Sequence, residues 1–463
     1  MIDIVMSVFN WLIDAGPTVM LPIIMIVVGL VVGLKLSRAF KSGLTIGIGF
    51  VGIRLILDYL ASNLGPAARA MAERLGVQLD VLDVGWGSIA AVTWASPIII
   101  FLIIAIFLTN LIMIISRTTD TLNVDIWNYH HIAIVGIMVH YVTNNVFLGI
   151  AASVVMAATT FKIADWSQPL VEEYFGIPGV TLPTVSATSS MVIAWPLNWL
   201  LDRIPGIRDI NFKLDDAQKY LGVFGEQSVL GLLMGSAIGL LAGYDAASAL
   251  QLGVQMAAVL VIIPQMTSFF VQGLMPISQA AQKWSQEKFK GRELFIGLDA
   301  AVIVGNQDVI NTALVLIPLT LGMALFLPGN RMLPFADLAI ITFRIALVVA
   351  LTKGNFFRNL IIGLVVMAAV LYGGSYTAPV LTELATSVGI DVATIAGGGA
   401  ILISSFSATS LTHSLLIFLA FIGPLPITIP IMLVVIAAYW YVLGYLKPKK
   451  ENNNTEIEEE LIN

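Results

Sequence analysis

Uncharged apolar stretches alternate with short charged segments along the whole chain. Clear examples of uncharged stretches are 18–34, 98–115, 254–275, 314–327 and 411–446. A helix needs roughly 20 consecutive apolar residues to cross the hydrocarbon core of a bilayer, and its backbone groups must be hydrogen-bonded internally there. The pattern therefore predicts an all-α polytopic membrane protein.

Twelve segments are apolar enough to be predicted as spans. They are 18–37, 43–62, 97–116, 131–160, 184–201, 222–243, 246–275, 309–328, 334–352, 357–375, 411–422 and 426–446. Basic residues, which favour the cytoplasmic side of a membrane, cluster after the first, fifth, seventh, ninth and twelfth segments. This places the N-terminus outside and the C-terminus in the cytoplasm, which requires an odd number of crossings. We therefore expect about 11 transmembrane helices, with 184–201 or 411–422 as a half-span.

Composition narrows the classes of function. Hydrophobic residues make up 58% of the chain and charged residues 11%, whereas soluble domains carry about 25% charge. The absence of cysteine excludes a disulfide, a thiolate metal site and a cysteine nucleophile. Neither a Walker A motif nor a set of nucleophile, base and acid is present, so any phosphoryl chemistry must belong to another protein. No cofactor, metal or nucleic acid is predicted, and residues 447–463 are predicted to form a disordered cytoplasmic tail.

An internal repeat is predicted within a single membrane domain that spans residues 1–446. Met20-Leu21-Pro22 recurs as Met332-Leu333-Pro334, and glycines and small residues farther along recur at a similar spacing. The predicted repeats lie near 20–116 and 332–422, on either side of a core with polar motifs near 222–328. Repeated halves with interrupted helices are typical of transporters that bind their substrate between the repeats. The alternative is a chance similarity between apolar sequences.

Two polar motifs share the pattern Gly-x-Gln-x-Val, at 225–229 and 305–309, and each precedes an apolar run. Helix N-termini inside a membrane offer free N–H groups and a partial positive charge, and carboxylates and amides there can bind a polyhydroxylated solute. The alternative is that the two carboxylates cap helices at the membrane surface. The solute-binding residues predicted from these motifs are Glu226, Gln227, Asn306, Gln307 and Asp308.

Histidine and asparagine occur together in the middle of the predicted span 131–160. The spacing of His140 and Asn144 predicts that both lie on one helix face, where they would line a polar cavity. A packing role for His140 is the alternative. The doublet His130-His131 stands at the start of the same span and is predicted to be interfacial.

Two glycine-rich breaks, 85–88 and 397–399, are each followed by serine and threonine. Non-helical backbone at membrane depth is tolerated only where it is buried or lines a cavity, so we predict re-entrant hairpins, with Ser88 and Thr93 near the solute. Close packing of helices through small residues is the alternative. The charged linkers 202–220 and 281–293 are interpreted as solvated faces, with docking of a cytoplasmic partner as the second possibility.

The motifs together resemble the galactitol-type enzyme IIC, the membrane permease component of the bacterial phosphoenolpyruvate-dependent phosphotransferase system. The resemblance covers nearly the whole chain up to the polar tail. It is carried by Met20-Leu21-Pro22, Gly85-Trp86-Gly87, the runs 224–228 and 305–308, and the glycine-rich C-terminal repeat.

The resemblance implies properties that composition does not give. The family is related to the ascorbate permeases, so a homodimer is expected in which a substrate-holding core moves like an elevator against a dimer scaffold in the inner membrane. Galactitol or a similar alditol would be passed to a cytoplasmic IIB protein, whose phosphocysteine is charged by IIA. Carried over from the ascorbate relatives, the substrate contacts would be His140 with Asn144, Gln227 with Glu226, and Asp308.

An ion-coupled secondary symporter for polyols or sugars is the competing class. In that case Glu226 and Asp308 would carry a proton or a sodium ion, a frequent role for carboxylates inside membranes. A membrane scaffold without transport is disfavoured by the number of polar groups within the predicted spans.

Overall fold

The computed structural model describes residues 11, 17–76, 79–210, 226–288, 294–334, 336–387, 402–406, 412–430, 433–434 and 437. Three predicted features lie outside these residues: the glycine-rich break at 397–399, most of the last span and the polar tail from 447 onward. Ser88 and Gln227 are described by their backbone alone.

The first half of the chain runs through α1 (Pro17–Val31), α2 (Leu36–Leu75), β1 (Val81–Asp83), α3 (Gly85–Ala95), α4 (Ile99–Ile115), β2 (Thr121–Asn123), α5 (Ile126–Thr143), α6 (Val146–Phe175), β3 (Val180–Thr181) and α7 (Val185–Leu201). The second half runs through α8 (Gln227–Leu241), α9 (Ala246–Lys288), β4 (Phe295–Gly297), α10 (Gln307–Phe326), β5 (Met332–Leu333), α11 (Ile341–Leu351), α12 (Phe356–Ser387), β6 (Leu402–Ser404) and α13 (Thr412–Ile422). Single 3₁₀ turns at Ala300–Val302 and Leu338–Ile340 follow β4 and precede α11.

The prediction of an all-α fold is corrected by two small parallel sheets. One sheet has the order β5-β1-β6 and the other the order β2-β4-β3. In the first, Val81 pairs with Met332 on one side and with Leu402 on the other. Strands of two or three residues are too short to show the alternating pattern that predicts a strand, so the sequence gives no sign of them.

The two halves of the chain follow the same order of long elements, with α1 and α8 at their starts. Each sheet takes its central strand from one half and both flanking strands from the other. The two halves are thereby interlocked at both sheets. This correspondence matches β1 with β4, whereas the repeat predicted from the sequence aligns Met20-Leu21 in α1 with Met332-Leu333 in β5, two elements of different kinds.

The predicted span 131–160 is wrong, because the chain turns within it. Asn144 has a left-handed backbone (φ 51°) and ends α5, and the Asn145 side chain accepts hydrogen bonds from the N–H groups of Phe147 and Leu148 at the start of α6. Asparagine is one of the few residues that tolerates the left-handed conformation, and it is also a strong N-cap. The two asparagines therefore make a tight turn between antiparallel helices.

Helices α1, α2, α8 and α9 pack together as a bundle. Gly231, Gly235 and Gly239 on α8 lie against Ala257, Gly253 and Ala249 on α9, respectively, so closely that an added Cβ would meet backbone atoms within 3.0 Å. Such spacing of small residues lets the backbones of membrane helices approach each other. Helices α3–α7 and α10–α13 surround the two sheets.

Helix length and composition support a membrane location. In the described part of the chain, α6, α10 and α12 are long and apolar enough to cross a bilayer, and α4 and α11 are shorter apolar helices. Polar pairs outside the helices join the halves: Arg331 Nε donates to Asp80 Oδ1 at 2.8 Å, and this hydrogen bonding lowers the pKa of Asp80.

Candidate functional site

Two aspartates meet at the end of the sheet formed by β1, β5 and β6. The carboxylate of Asp83 accepts hydrogen bonds from the N–H groups of Gly85 (3.1 Å) and Asp337 (2.8 Å). The carboxylate of Asp337 accepts from the Trp86 N–H (2.9 Å) and from the Ser405 hydroxyl (2.6 Å). All three polar side chains are fully buried. We call Asp83, Asp337 and Ser405 the first carboxylate cluster.

The second sheet ends in a similar arrangement. Asp125 accepts from the N–H groups of Trp127 and Asp299, both at 3.0 Å. Asp299 accepts from the Ala301 N–H (2.8 Å) and from the Thr184 hydroxyl (3.2 Å). We call Asp125, Asp299 and Thr184 the second carboxylate cluster. Asp299 therefore has the same kinds of partner as Asp337: a backbone N–H on one oxygen and a hydroxyl on the other.

Arg344 distinguishes the first cluster from the second. This arginine on α11 is 1% exposed and interacts electrostatically with Asp337 and Asp83. Its Nε and Nη2 groups have no hydrogen-bond partner among the residues that the structure describes. Buried polar groups are almost always hydrogen-bonded, so these donors are candidates for binding a ligand.

Aromatic and imidazole rings lie beside the first cluster, at the starts of α3 and α5. Trp86 is half-buried, and its ring centroid lies 5.1 Å from that of Trp127 and 6.3 Å from that of His130. The rings of His130 and His131 are 3.9 Å apart. Within the described residues, His130 Nε2 and both ring nitrogens of His131 lack partners, and His131 interacts electrostatically with Arg344. We call Trp86, His130, His131 and Arg344 the central cluster.

The two histidines of the central cluster lie about midway along α6, on the neighbouring helix α5. Helices α5 and α6 form an antiparallel hairpin that turns at Asn144, so His131 lies about 20 Å from that turn at 1.5 Å per residue. The same rise makes α6 about 45 Å long, which puts His131 close to its midpoint. Farther around α6, Thr160 and His413 Nε2 are hydrogen-bonded at 3.4 Å. Both imidazoles are buried inside the protein, and the interfacial position of His130-His131 stays a prediction.

Sequence reasoning missed Arg344 as well, although a usable signal was present. It is the one charged residue between Asp337 and Lys353, and a charged side chain inside an apolar helix is expensive unless it has a function. The histidine doublet gave a weaker signal, because it begins an apolar stretch and so resembles a membrane boundary.

The predicted pair His140 and Asn144 lies at the turn between α5 and α6. His140 is in the last turn of α5, whereas Asn144 ends that helix and is exposed. The prediction that both side chains share one helix face is wrong, because the left-handed backbone of Asn144 ends the helical spacing. His140 Nδ1 is buried and has no partner in the described part of the chain.

Asp308 lies at the opposite end of α6. The Tyr174 hydroxyl, one residue before the end of α6, donates a hydrogen bond to Asp308. Gly354 approaches both groups, since an added Cβ there would lie 2.6 Å from the Tyr174 hydroxyl and 2.8 Å from Asp308 Oδ2. Tyr174 and Asn144 are separated by the length of α6, so the structure does not bring Asp308 together with His140 and Asn144.

The neighbours of Asp308 also have assigned partners. Asn306 caps α10 by accepting from the N–H groups of Asp308 (3.0 Å) and Val309 (3.3 Å), and Gln307 Nε2 donates to Asn311 (2.9 Å). The prediction that Asp308 stands at a helix N-terminus is confirmed.

The remaining predicted residues lie elsewhere. Glu226 is exposed at the N-terminus of α8, in the bundle of α1, α2, α8 and α9. Thr93 is fully buried on α3 and donates to the Ile89 carbonyl at 2.8 Å, so its hydroxyl is satisfied within its own helix. The backbone of Ser88 lies in the first turn of α3, two residues after Trp86.

We expect Tyr174→Phe to lower the melting temperature of the purified protein by removing the donor to Asp308. A hydrogen bond to a charged group contributes about 1.5–3 kcal/mol when buried, and the partial exposure of Asp308 reduces this to about 1 kcal/mol. Tyr376→Phe on α12 is the control, because Tyr376 is 56% exposed. Equal melting temperatures for the two variants would contradict a structural role for the Tyr174–Asp308 contact.

Fold and site together define a class of protein. Apolar helices surround a core that contains buried carboxylates, imidazoles and a guanidinium, and several of those polar groups lack a protein partner among the described residues. An integral membrane protein with such a core belongs to the class that carries a polar solute across a membrane.

Comparison with known proteins gives the family. The family described as PTS system sugar-specific permease component matches residues 11–394. The chain is 40% identical over 383 residues to the PTS system galactitol-specific EIIC component of Escherichia coli K12, covering 83% of this chain and 85% of that protein. The protein of the same name from Escherichia coli O157:H7 matches to the same extent. The chain belongs to the PTS sugar-specific permease components, which are integral inner-membrane transport subunits rather than enzymes in their own right.

Proposed function

We propose that this chain binds galactitol or a closely related alditol and carries it across the inner membrane for phosphorylation by a separate IIB protein. The observation that carries the proposal is the central cluster, whose buried nitrogens without partners among the described residues suit a solute whose every hydroxyl can both donate and accept. The named function of the two similar Escherichia coli proteins supports galactitol as the substrate. The chain has no cysteine, which fits a division of labour in which the phosphocysteine belongs to IIB.

The transport step is proposed to follow the elevator scheme of the related ascorbate permeases. The bundle of α1, α2, α8 and α9 would form the static scaffold of a homodimer, and the helices around the two sheets would move as the substrate-holding core. The proposed topology retains about eleven crossings, re-entrant segments at the sheets, an external N-terminus and a cytoplasmic C-terminus. The basic linkers would then face IIB.

The site residues predicted from the sequence take a place along this route. His140 and Asn144 lie at one end of α6, and Gln307 and Asp308 lie near the other. We propose that they line the outer and inner ends of the core, on either side of the central cluster that holds the solute while the core moves. Glu226, at the start of α8, would face the core from the scaffold.

The test is phosphorylation-dependent uptake in vesicles that contain the purified chain. With IIA, IIB and phosphoenolpyruvate supplied on the cytoplasmic side, labelled galactitol is expected to accumulate as galactitol phosphate. Vesicles without IIB are the control and should accumulate none.

An ion-coupled symporter predicts the opposite outcome. Such a protein would accumulate unmodified galactitol under a proton or sodium gradient without any partner, using Glu226 or Asp308 as the ion carrier. Gradient-driven accumulation of unmodified galactitol by the chain alone would refute the proposed function.

A further inference from the structure

The guanidinium of Arg344 is buried, and some of its N–H donors have no partner among the described residues. Such a group can determine which solutes the site accepts. Arg344 Nε and Nη2 have no partner in the described residues, and neither do the two ring nitrogens of His131 on α5. Arg344 is 1% exposed and His131 is 6% exposed. Leaving a buried donor unsatisfied costs about 1–3 kcal/mol, and more for a charged group. A solute that offers several acceptor oxygens would satisfy these groups.

The charge around Arg344 restricts which solute can do so. Asp83 and Asp337 are both fully buried and interact electrostatically with Arg344. With neutral imidazoles, two carboxylates and one guanidinium leave one negative charge in excess. Low effective dielectric strengthens such interactions inside a protein. An anionic ligand at this position is therefore strongly disfavoured, even though Arg344 attracts it.

We propose that Arg344, which interacts electrostatically with Asp83 and Asp337, binds a hydroxyl of the alditol and that the two carboxylates exclude acidic sugars from the site. The inference rests on the proposed function, since it concerns the substrate of the same transporter. Carboxylates already occupied by backbone N–H groups cannot turn away from the ligand, so the charge is fixed in place.

The test is equilibrium binding of labelled galactitol to the purified chain, with three unlabelled competitors. The competitors differ at one terminal carbon. Galactitol is uncharged, galactonate carries one negative charge, and 1-amino-1-deoxygalactitol carries one positive charge. The expected result is competition by galactitol and by the amine within about tenfold of each other, and none by galactonate at a hundredfold excess.

Asp337→Asn is the matched variant. An amide oxygen can still accept from the Trp86 N–H, and the Ser405 hydroxyl can turn to accept from the amide nitrogen, so the network persists with one charge fewer. The apparent affinity of galactonate, measured as displacement of labelled galactitol, should be at least tenfold higher in Asp337→Asn than in the wild-type chain. Asp299→Asn makes the same change in the second carboxylate cluster and should leave the selectivity unaltered.

The outcomes separate this inference from the proposed function. If the wild-type chain binds no galactitol, the proposed function fails. If it binds galactitol and galactonate competes as well as the amine, the inference fails and the function stands. This comparison needs no variant, so poor folding of Asp337→Asn leaves the test intact. Unchanged selectivity in a folded Asp337→Asn protein would also overturn the inference.

Discussion

Gly136→Ala is expected to disrupt the packing of α5 against α6 and to abolish galactitol binding. Gly136 lies at the closest approach of these helices, where an added Cβ would stand under 3.0 Å from the Gly149 carbonyl oxygen and from the Ser153 hydroxyl. A backbone carbonyl cannot move aside as a flexible side chain can, so the helices must separate. Overpacking of this kind costs about 1–3 kcal/mol, and we expect a value at the upper end.

The loss of binding follows from the position of Gly136 on α5. The same helix carries His130 and His131, so any shift of α5 away from α6 displaces both imidazoles relative to Arg344. Fluorescence-detected size exclusion after heating measures the loss of stability, and binding of labelled galactitol at low temperature measures the displacement of the site.

Gly322→Ala provides the control for this substitution. Gly322 lies within α10, and an added Cβ there meets nothing within 4 Å. Because alanine is favoured over glycine in a helix by about 1 kcal/mol, Gly322→Ala should be neutral or slightly stabilising. If Gly136→Ala behaves like Gly322→Ala, the close approach of α5 and α6 has no energetic role.

The class of fold was readable from the sequence because it depends on local composition. Long uncharged runs predict membrane helices, and the confirmed helix starts at Gln227 and Gln307 followed from polar motifs before apolar runs. The turn at Asn144-Asn145 is also visible in the sequence as a polar interruption of an apolar run. The prediction instead places Asn144 on a continuous helix, lining a polar cavity. A polar residue inside an apolar run has both explanations, and only the backbone conformation decides between them.

The centre of the site could not be predicted in the same way. Asp83 and Asp337 meet because β1 and β5 pair, and pairing between distant short strands leaves no periodic pattern in either segment. Arg344 can be recognised as a candidate site residue only once the structure shows its electrostatic interaction with those carboxylates. The predicted residues His140 and Asp308 were chosen from local motifs, and the length of α6 separates them.

Asp337→Ala is expected to destabilise the protein by about 2–4 kcal/mol, since it removes the acceptor for the Trp86 N–H and for the Ser405 hydroxyl and each buried polar group left unsatisfied costs about 1–3 kcal/mol. Asp337→Asn keeps an acceptor at the same position. Thermal unfolding followed by size exclusion should therefore place Asp337→Ala well below Asp337→Asn.

The double variant Asp337→Ala/Arg344→Met tests the role of Arg344 as the counter-charge of Asp83. In Asp337→Ala the buried Asp83 carboxylate and the Arg344 guanidinium are left to balance each other. Methionine fills irregular space in a core but removes the cation, and an uncompensated buried charge is strongly destabilising. The double variant should therefore unfold at a lower temperature than Asp337→Ala and fail to bind galactitol; equal stability of the two variants would mean that Arg344 does not balance Asp83 in the centre of this permease.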